Sequence, residues 1–150
     1  MKDIKNKILI IDANYYKDIS NNLMLGITDV LDNSDFSYIY HSVSGALEIP
    51  IAMNILFSKS DFIGAIGVGC VIRGQTSHYD IVANVSAQGL LDVSMKYNIP
   101  VTNAIITVDS VAQATERAQP DMKNRGGHAA EALLGLIKLK KKDRISIKVS

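Results

Sequence analysis

Apolar positions along the chain fall into two alternating patterns. Ile8-Leu9-Ile10-Ile11 is a short unbroken apolar run, the mark of a strand covered on both faces. From about Lys17 to Leu31 the spacing lengthens, and Ile19, Leu23, Ile27, Val30 and Leu31 recur near one face of a helix. Phe36-Ser37-Tyr38-Ile39-Tyr40 predicts a second strand, rich in aromatic residues. Glu48 to Phe57 predicts a short helix whose Pro50 falls in the first turn, where a missing N–H does little harm. Asp61 to Ile72 is the strongest strand signal, with almost no polar side chains and with Gly64, Gly67 and Gly69 to admit neighbouring backbone. A long helix follows from Tyr79 to Tyr97 and stops before Asn98-Ile99-Pro100, and Val101 to Val108 predicts a fourth strand. Ser110-Val111-Ala112-Gln113 has the form of a capping box, so a helix begins there, and Pro120 ends it. A last helix is expected from about Asn124 to Leu139, with Leu133, Leu134, Leu136 and Ile137 as core candidates.

Strands that alternate with helices imply a parallel sheet between helical layers. Right-handed crossovers then give an α/β three-layer α/β/α sandwich, flavodoxin-like, around a four-stranded parallel sheet. With no linker, internal repeat or low-complexity stretch, residues 1–150 are expected to form a single domain.

Composition narrows the class. Hydrophobic residues make up 47% and charged residues 21%, a balance that argues against disorder. The net charge of +1 gives no field that would draw nucleic acid or a membrane surface. The basic cluster Lys138, Lys140, Lys141, Lys142 and Arg144 is expected to be a solvated helix end, where cations suit the dipole. Cys70 is the single cysteine, so neither an intramolecular disulfide nor a thiolate cluster forms, which fits a reducing compartment. Cys70 lies in an apolar run and is expected to be a small buried hydrophobe. The apolar stretch at the N-terminus is too short for a signal peptide, and no window reaches transmembrane length. A cytoplasmic protein is expected.

In open parallel sheets, ligands bind beyond the carboxyl ends of the strands, so candidate chemistry belongs to the loops there. After the first strand, Tyr15 in Asp12-Ala13-Asn14-Tyr15-Tyr16 can stack on a flat ring or simply pack on its own helix. After the second, Gly45 permits an unusual backbone angle, and the amides beside a helix start can meet polar edges of a heterocycle, although a plain turn is the better account of these residues by themselves. The third loop, Arg73-Gly74-Gln75-Thr76-Ser77-His78-Tyr79-Asp80, is the most informative. Its glycine, its small hydroxyl residues and the helix start make an anion cradle of backbone N–H groups, with His78 beside it as a proton carrier. Asp80 can orient that imidazole, though two residues apart on a helix they do not easily face each other. After the fourth strand, Arg117 and Arg125 suit a phosphate because guanidinium offers it two donors, although ordinary surface charge is the more usual explanation of such residues. His41 and His128 carry less.

Several chemistries are absent. There is no His-x-x-x-His or carboxylate cluster at ligand spacing, so no metal is expected. No Gly-x-Ser-x-Gly elbow, Walker A loop or dinucleotide fingerprint occurs, which argues against serine acyl transfer and a nicotinamide cofactor.

These segments, in this order, resemble the 6,7-dimethyl-8-ribityllumazine synthase family over nearly the whole chain. Ser44-Gly45-Ala46-Leu47-Glu48-Ile49-Pro50 is similar to the family's Pro-Gly-Ala-Phe-Glu-Ile-Pro, and Gly69-Cys70-Val71-Ile72-Arg73-Gly74-Gln75-Thr76-Ser77-His78-Tyr79-Asp80 to its Gly-Ala-Val-Ile-Arg-Gly-Glu-Thr-Pro-His-Phe-Asp. Glu116-Arg117-Ala118 and Lys123-Asn124-Arg125-Gly126 resemble its Glu-Arg-Ala and Gly-Asn-Lys-Gly pieces. The resemblance implies condensation of 5-amino-6-(D-ribitylamino)uracil with 3,4-dihydroxy-2-butanone 4-phosphate, without a cofactor, as a transferase of riboflavin biosynthesis whose product feeds riboflavin synthase. It implies that Tyr15 stacks on the pyrimidine, that Gly45, Ala46 and Glu48 contact ring and ribityl chain, and that Val71 and Ile72 line the pyrimidine pocket. Gly74, Gln75, Thr76 and Arg117 would hold phosphate, His78 would transfer protons, and Arg125 would stand in for the family's lysine.

Some positions depart from the pattern. Tyr15 replaces a phenylalanine or tryptophan, Tyr16 an asparagine and Ser77 a proline. Asn103 stands where many relatives place a phenylalanine that covers the substrate of the neighbouring subunit, and it cannot stack in that way. The resemblance also implies a homopentamer with active sites shared between adjacent subunits, some relatives closing into an icosahedral shell. The short segment before the first strand and Pro120 within Ala118 to Lys123 favour a free pentamer. Two rival classes remain: a binding module that holds riboflavin or its precursor without making it, and a receiver-type signalling domain. For the latter, Ile72-Arg73 and Val108-Asp109 are the wrong residues at the strand ends.

Overall fold

The computed structural model describes residues 3–142. The chain runs β1 (Asp3–Ala13), α1 (Lys17–Asp32), β2 (Phe36–Val43), α2 (Glu48–Lys59), β3 (Gly64–Ile72), α3 (His78–Tyr97), β4 (Val101–Val108), α4 (Val111–Ala118) and α5 (Arg125–Lys141). All strands pair in parallel, in the spatial order β2-β1-β3-β4. Every expected element is present, and the sheet is the expected four-stranded one between helical layers.

The period of two in the central strands sorts their side chains onto opposite faces. Ile8 and Ile10 of β1, Ile66 and Val68 of β3, and Ala104 and Ile106 of β4 bury against α1, α4 and α5, through residues such as Leu23, Ile27, Ala118 and Leu133. Leu9, Ile11, Ala65 and Ile105 point the other way, into a second core with Ile49, Met53 and Phe57 of α2 and Leu90 and Val93 of α3. The apolar run Ile8–Ile11 therefore has no exposed member, as a strand covered on both faces requires.

Element ends moved where local bonds outweighed hydropathy. β1 starts at Asp3, before its apolar run, with a register irregularity against β2 between Asp3 and Lys7. β3 starts at Gly64 rather than Asp61. Gly64 and Gly67 do admit close neighbours: a Cβ would lie 2.9 Å from a Leu133 methyl at the first and 2.9 Å from a Leu90 methyl at the second. The box at α4 is half as expected. Ser110 Oγ accepts from the Gln113 amide at 3.2 Å, but Gln113 Oε1 reaches back to the Asp109 amide, at 2.7 Å, rather than to that of Ser110. α4 ends at Ala118 because Gln119, forced extended by the following Pro120, cannot continue it. At the other end of the molecule the basic cluster is a helix end: Lys138, Lys140 and Lys141 occupy the last turn of α5. Lys140 donates to the Asn98 carbonyl, and Lys141 Nζ lies 4.8 Å from the Phe36 ring centroid. Arg144 lies outside the described residues. No helix among the described residues is long and apolar enough to cross a membrane.

Candidate active site

The sheet order has one switch point. From β1 the chain crosses to β2 on one side and returns to β3 on the other, so the loops leaving β1 and β3 part and open a crevice at their carboxyl ends. A cleft of about 330 Å³ lies there, lined by Ala13, Tyr15 and Tyr16 from the first loop, Ser44, Gly45 and Ala46 from the second, and Cys70, Val71, Ile72, His78 and Val82 from β3 and α3. Tyr15, Gly45, Ala46, Val71, Ile72 and His78 are thus brought together.

Each wall has a local cause. Tyr15 is 76% exposed, and its ring meets that of Tyr16 edge-on at a centroid distance of 5.0 Å, which leaves a face open for a flat ligand. The loop hangs from Asp12, the penultimate residue of β1. This carboxylate is 1% exposed and accepts hydrogen bonds from Ser20 Oγ at 2.9 Å and Tyr40 OH at 2.8 Å. Burial pushes the Asp12 carboxyl above the usual range, against the two hydrogen bonds that favour its charged form. Burial, with the hydrogen bond to Asp12, pushes the Tyr40 phenol to about 12. Gly45 differs from expectation, because no glycine among the described residues has a positive φ. Its role is space: a Cβ there would lie 2.9 Å from Glu48 Oε2, so the missing side chain lets that carboxylate fold back over the turn. Cys70 is only partly buried and forms part of the cleft wall, where burial pushes its thiol to about 11.

The β3–α3 loop forms the rim. His78 is the first residue of α3 and is exposed. Its amide donates to Thr76 Oγ1 at 3.3 Å. The amides of Gly74, Gln75, Thr76 and Ser77 donate to no described residue, and a Cβ on Gly74 would have nothing within 4 Å. Unpaired N–H groups, open space and the positive end of a 20-residue helix are the elements of an anion cradle. Asp80 does not orient His78; it lies 3.7 Å from Arg73, which also holds Asp109 at 2.8 Å.

Arg117, Arg125 and Asn103 are elsewhere. They line a second, larger cleft of about 550 Å³ along β4, with Thr102, Ile105, Thr107 and His128. β4 is an edge strand, pairing only with β3. Asn103 turns its side-chain oxygen onto the Ile105 amide at 2.7 Å, occupying a donor of that open edge. Arg117, on α4, bonds the Gln113 carbonyl at 3.4 Å. Arg125 follows Asn124, whose left-handed backbone (φ 47°) and side chain cap α5 by accepting from the Gly127 amide at 3.2 Å. Arg117 therefore lines a different cleft from His78. His128, which the sequence left as an incidental helix residue, shares the basic cleft. Its spacing of three from Arg125, one helical turn, was the available signal. Among the described residues no three His, Cys, Asp or Glu side chains gather as metal ligands.

The match to known proteins spans both clefts. A family model described as 6,7-dimethyl-8-ribityllumazine synthase covers residues 5–141. The chain belongs to the 6,7-dimethyl-8-ribityllumazine synthase family. Curated proteins of that name include one from Bartonella tribocorum, 43% identical over 95% of this chain and 96% of its own length. Another, from Methylobacterium radiotolerans, is 43% identical over 90% of this chain and 82% of its own length. A third, from Methylocella silvestris, is 44% identical over 85% and 81%. Membership places the chain among the transferases of riboflavin biosynthesis, which act on small molecules and self-associate, and agrees with the flavodoxin-like sandwich.

Proposed function

We propose that this chain condenses 5-amino-6-(D-ribitylamino)uracil with 3,4-dihydroxy-2-butanone 4-phosphate, releasing 6,7-dimethyl-8-ribityllumazine, phosphate and water. The observation that carries the reading is the division of the expected residues between two clefts. One holds an open tyrosine face and His78, which follows a loop whose amides donate to no described residue; the other holds Arg117 and Arg125. Joined across two copies, they make a complete site. The pyrimidine lies on Tyr15 between Gly45, Ala46, Val71 and Ile72, with Glu48 toward the ribityl chain. The phosphate lies on Gly74, Gln75 and Thr76, and Arg117 of the adjacent subunit closes over it, with Arg125 and Asn103 beside it. The substrates already carry the reacting amine and carbonyl, so holding them together supplies much of the acceleration without a cofactor. His78 moves protons during imine formation and elimination, and the arginine with the loop amides steadies the departing phosphate.

This reading requires an oligomer, and a homopentamer is the assembly proposed. An apolar groove of about 540 Å³ between α2 and α3, walled by Leu47, Pro50, Ile51, Val85 and Val93, supports self-association. On the same two helices Ile55, Ile81, Leu91 and Met95 are also exposed, and clustered exposed apolar side chains suit a protein–protein contact. The enzyme would work in the cytoplasm and pass its product to riboflavin synthase. Incubation with both substrates tests the reaction, because only a synthase generates the absorbing lumazine. Mixing refolded His78→Ala and Arg117→Ala subunits tests the shared site. With the phosphorylated ketone held below its wild-type KM, the mixture should be more active than either variant alone, because some interfaces pair an intact His78 with an intact Arg117. No recovery in mixed oligomers would overturn the shared site.

A further inference from the structure

The rim that would hold phosphate is almost untethered from within. Among the described residues, the only tie within Arg73 to His78 is the His78 amide on Thr76 Oγ1, and the four amides before it find no partner there. Its two ends, in contrast, meet on one side chain. The Arg73 amide extends the ladder by donating to the Val108 carbonyl at 2.8 Å. Its guanidinium donates from Nε to Asp109 Oδ1 at 2.8 Å, lies 3.7 Å from Asp80 Oδ1, and stacks over the Tyr79 ring at 4.2 Å from the centroid. Tyr79 and Asp80 are in the first turn of α3, just past the loop. Asp109 is itself held, because its amide donates to Gln113 Oε1 in the α4 cap. A planar fork with fixed donors suits this three-way junction, where a lysine would supply a single point charge.

We infer that Arg73 is a positioning residue: it staples the two ends of the Gly74–Ser77 loop so that the free amides stay aimed at the phosphate, and it does not itself bind the phosphate. Charge separates the two roles. A guanidinium already committed to two carboxylates presents little free positive charge to an anion. Arg117 and Arg125, for which no carboxylate partner is found among the described residues, do present it. The staple also joins the loop after β3 to the loop before α4, which carries Arg117. The rim of one site and the helix whose arginine is offered to the next are therefore joined through Arg73 and Asp109. The inference rests on the proposed condensation for its kinetic consequence, but not for its structural one.

The experiment uses the full-length oligomer and three variants, Arg73→Ala, Arg73→Lys and Asp109→Asn. Each ion pair is exposed, so effects are modest. Arg73→Ala should raise KM for the phosphorylated ketone roughly three- to tenfold, with KM for the pyrimidine nearly unchanged and an unaltered unfolding midpoint. Arg73→Lys should recover only part of this. Asp109→Asn should act in the same direction, and the double variant should be no worse than Arg73→Ala alone. If Asp109→Asn instead lowers KM for the phosphorylated ketone, the freed arginine binds phosphate directly and the inference is overturned. Equal rises in both KM values, or additive losses in the double variant, overturn it too. Amide hydrogen exchange at the bonded amides that flank the loop, residue 73 on Val108 and Ile81 on Ser77, is an independent reading on the protein without substrate. It should quicken in Arg73→Ala, and an unchanged rate refutes the staple. A wild-type protein that makes no lumazine, yet shows this exchange difference, removes the proposed reaction and leaves the staple standing.

Discussion

The Tyr40 hydroxyl of β2 donates to Oδ2 of Asp12 at the end of β1, and this 2.8 Å bond crosses the sheet beneath the loop that carries Tyr15. Ser20 of α1 takes the other carboxylate oxygen at 2.9 Å. One buried carboxylate thus fixes a strand, its neighbour and the following helix beside the cleft.

That pair has an alkaline signature. The Tyr40 phenol is held to about 12, against an ordinary value of 10.0. A proton bound more tightly in the folded state stabilises it fully below the unfolded value, and that stability drains as pH rises through the folded one. Thermal unfolding across this window should therefore show a steeper fall for the wild type than for Tyr40→Phe. Parallel curves would contradict the assignment.

Cys70 should be slow to react despite lining the cleft. Only the thiolate is nucleophilic, and burial raises this thiol from 9.0 to about 11. Alkylation by iodoacetamide should be far slower at neutral pH than for a free thiol and should climb toward pH 11. A rapid reaction at neutral pH would refute the buried environment.

His78→Ala should slow turnover by about 10²- to 10⁴-fold, the usual worth of a positioned acid–base group. Activity should persist, because binding still holds the two substrates together. Total loss in a folded variant that binds substrate would show that the imidazole does more than move protons.

Arg117→Ala should chiefly raise KM for the phosphorylated ketone, since guanidinium matches phosphate with two donors. Steady-state kinetics with each substrate varied in turn measures this. An unchanged KM for that substrate sinks the clamp.

Gly126→Ala should destabilise the fold. α1 and α5 approach so closely that a Cβ at Gly126 would overlap the Leu23 carbonyl. Relief requires backbone movement, which costs about 1–3 kcal/mol in a packed core. A lowered thermal unfolding midpoint checks it.

The residues that could be placed from the chain alone were those whose role is local. Ile8 to Ile11 announced a strand covered on both faces, because a period of two with no polar break leaves no face for water. Ser110 announced a helix start, since a cap needs only a hydroxyl and an amide three residues on. The glycine and hydroxyl residues before His78 marked a loop with free amides, because amides left over at a helix start are a property of that loop itself. The neighbours of Tyr15, Gly45 and Val71 followed from the rule that parallel strands gather their loops at one end.

What tertiary structure alone decided depends on partners distant along the chain. Asp80 belongs to Arg73 and Asp109, not to His78, because the β3–β4 ladder carries Asp109 to the end of β3. Gly45 is needed for the Glu48 carboxylate rather than for a rare backbone angle. His128 gained its place only when α5 packed beside edge strand β4 and set it with Arg117 and Arg125. Most of all, the motifs show which residues the family uses but not on which side of the molecule each stands. That is set by sheet order, and an order of β2-β1-β3-β4 puts Tyr15 at the inner switch point and Arg117 beside the outer edge. Hydropathy along a chain records how deeply each residue is buried; it carries no sign for left or right across a sheet.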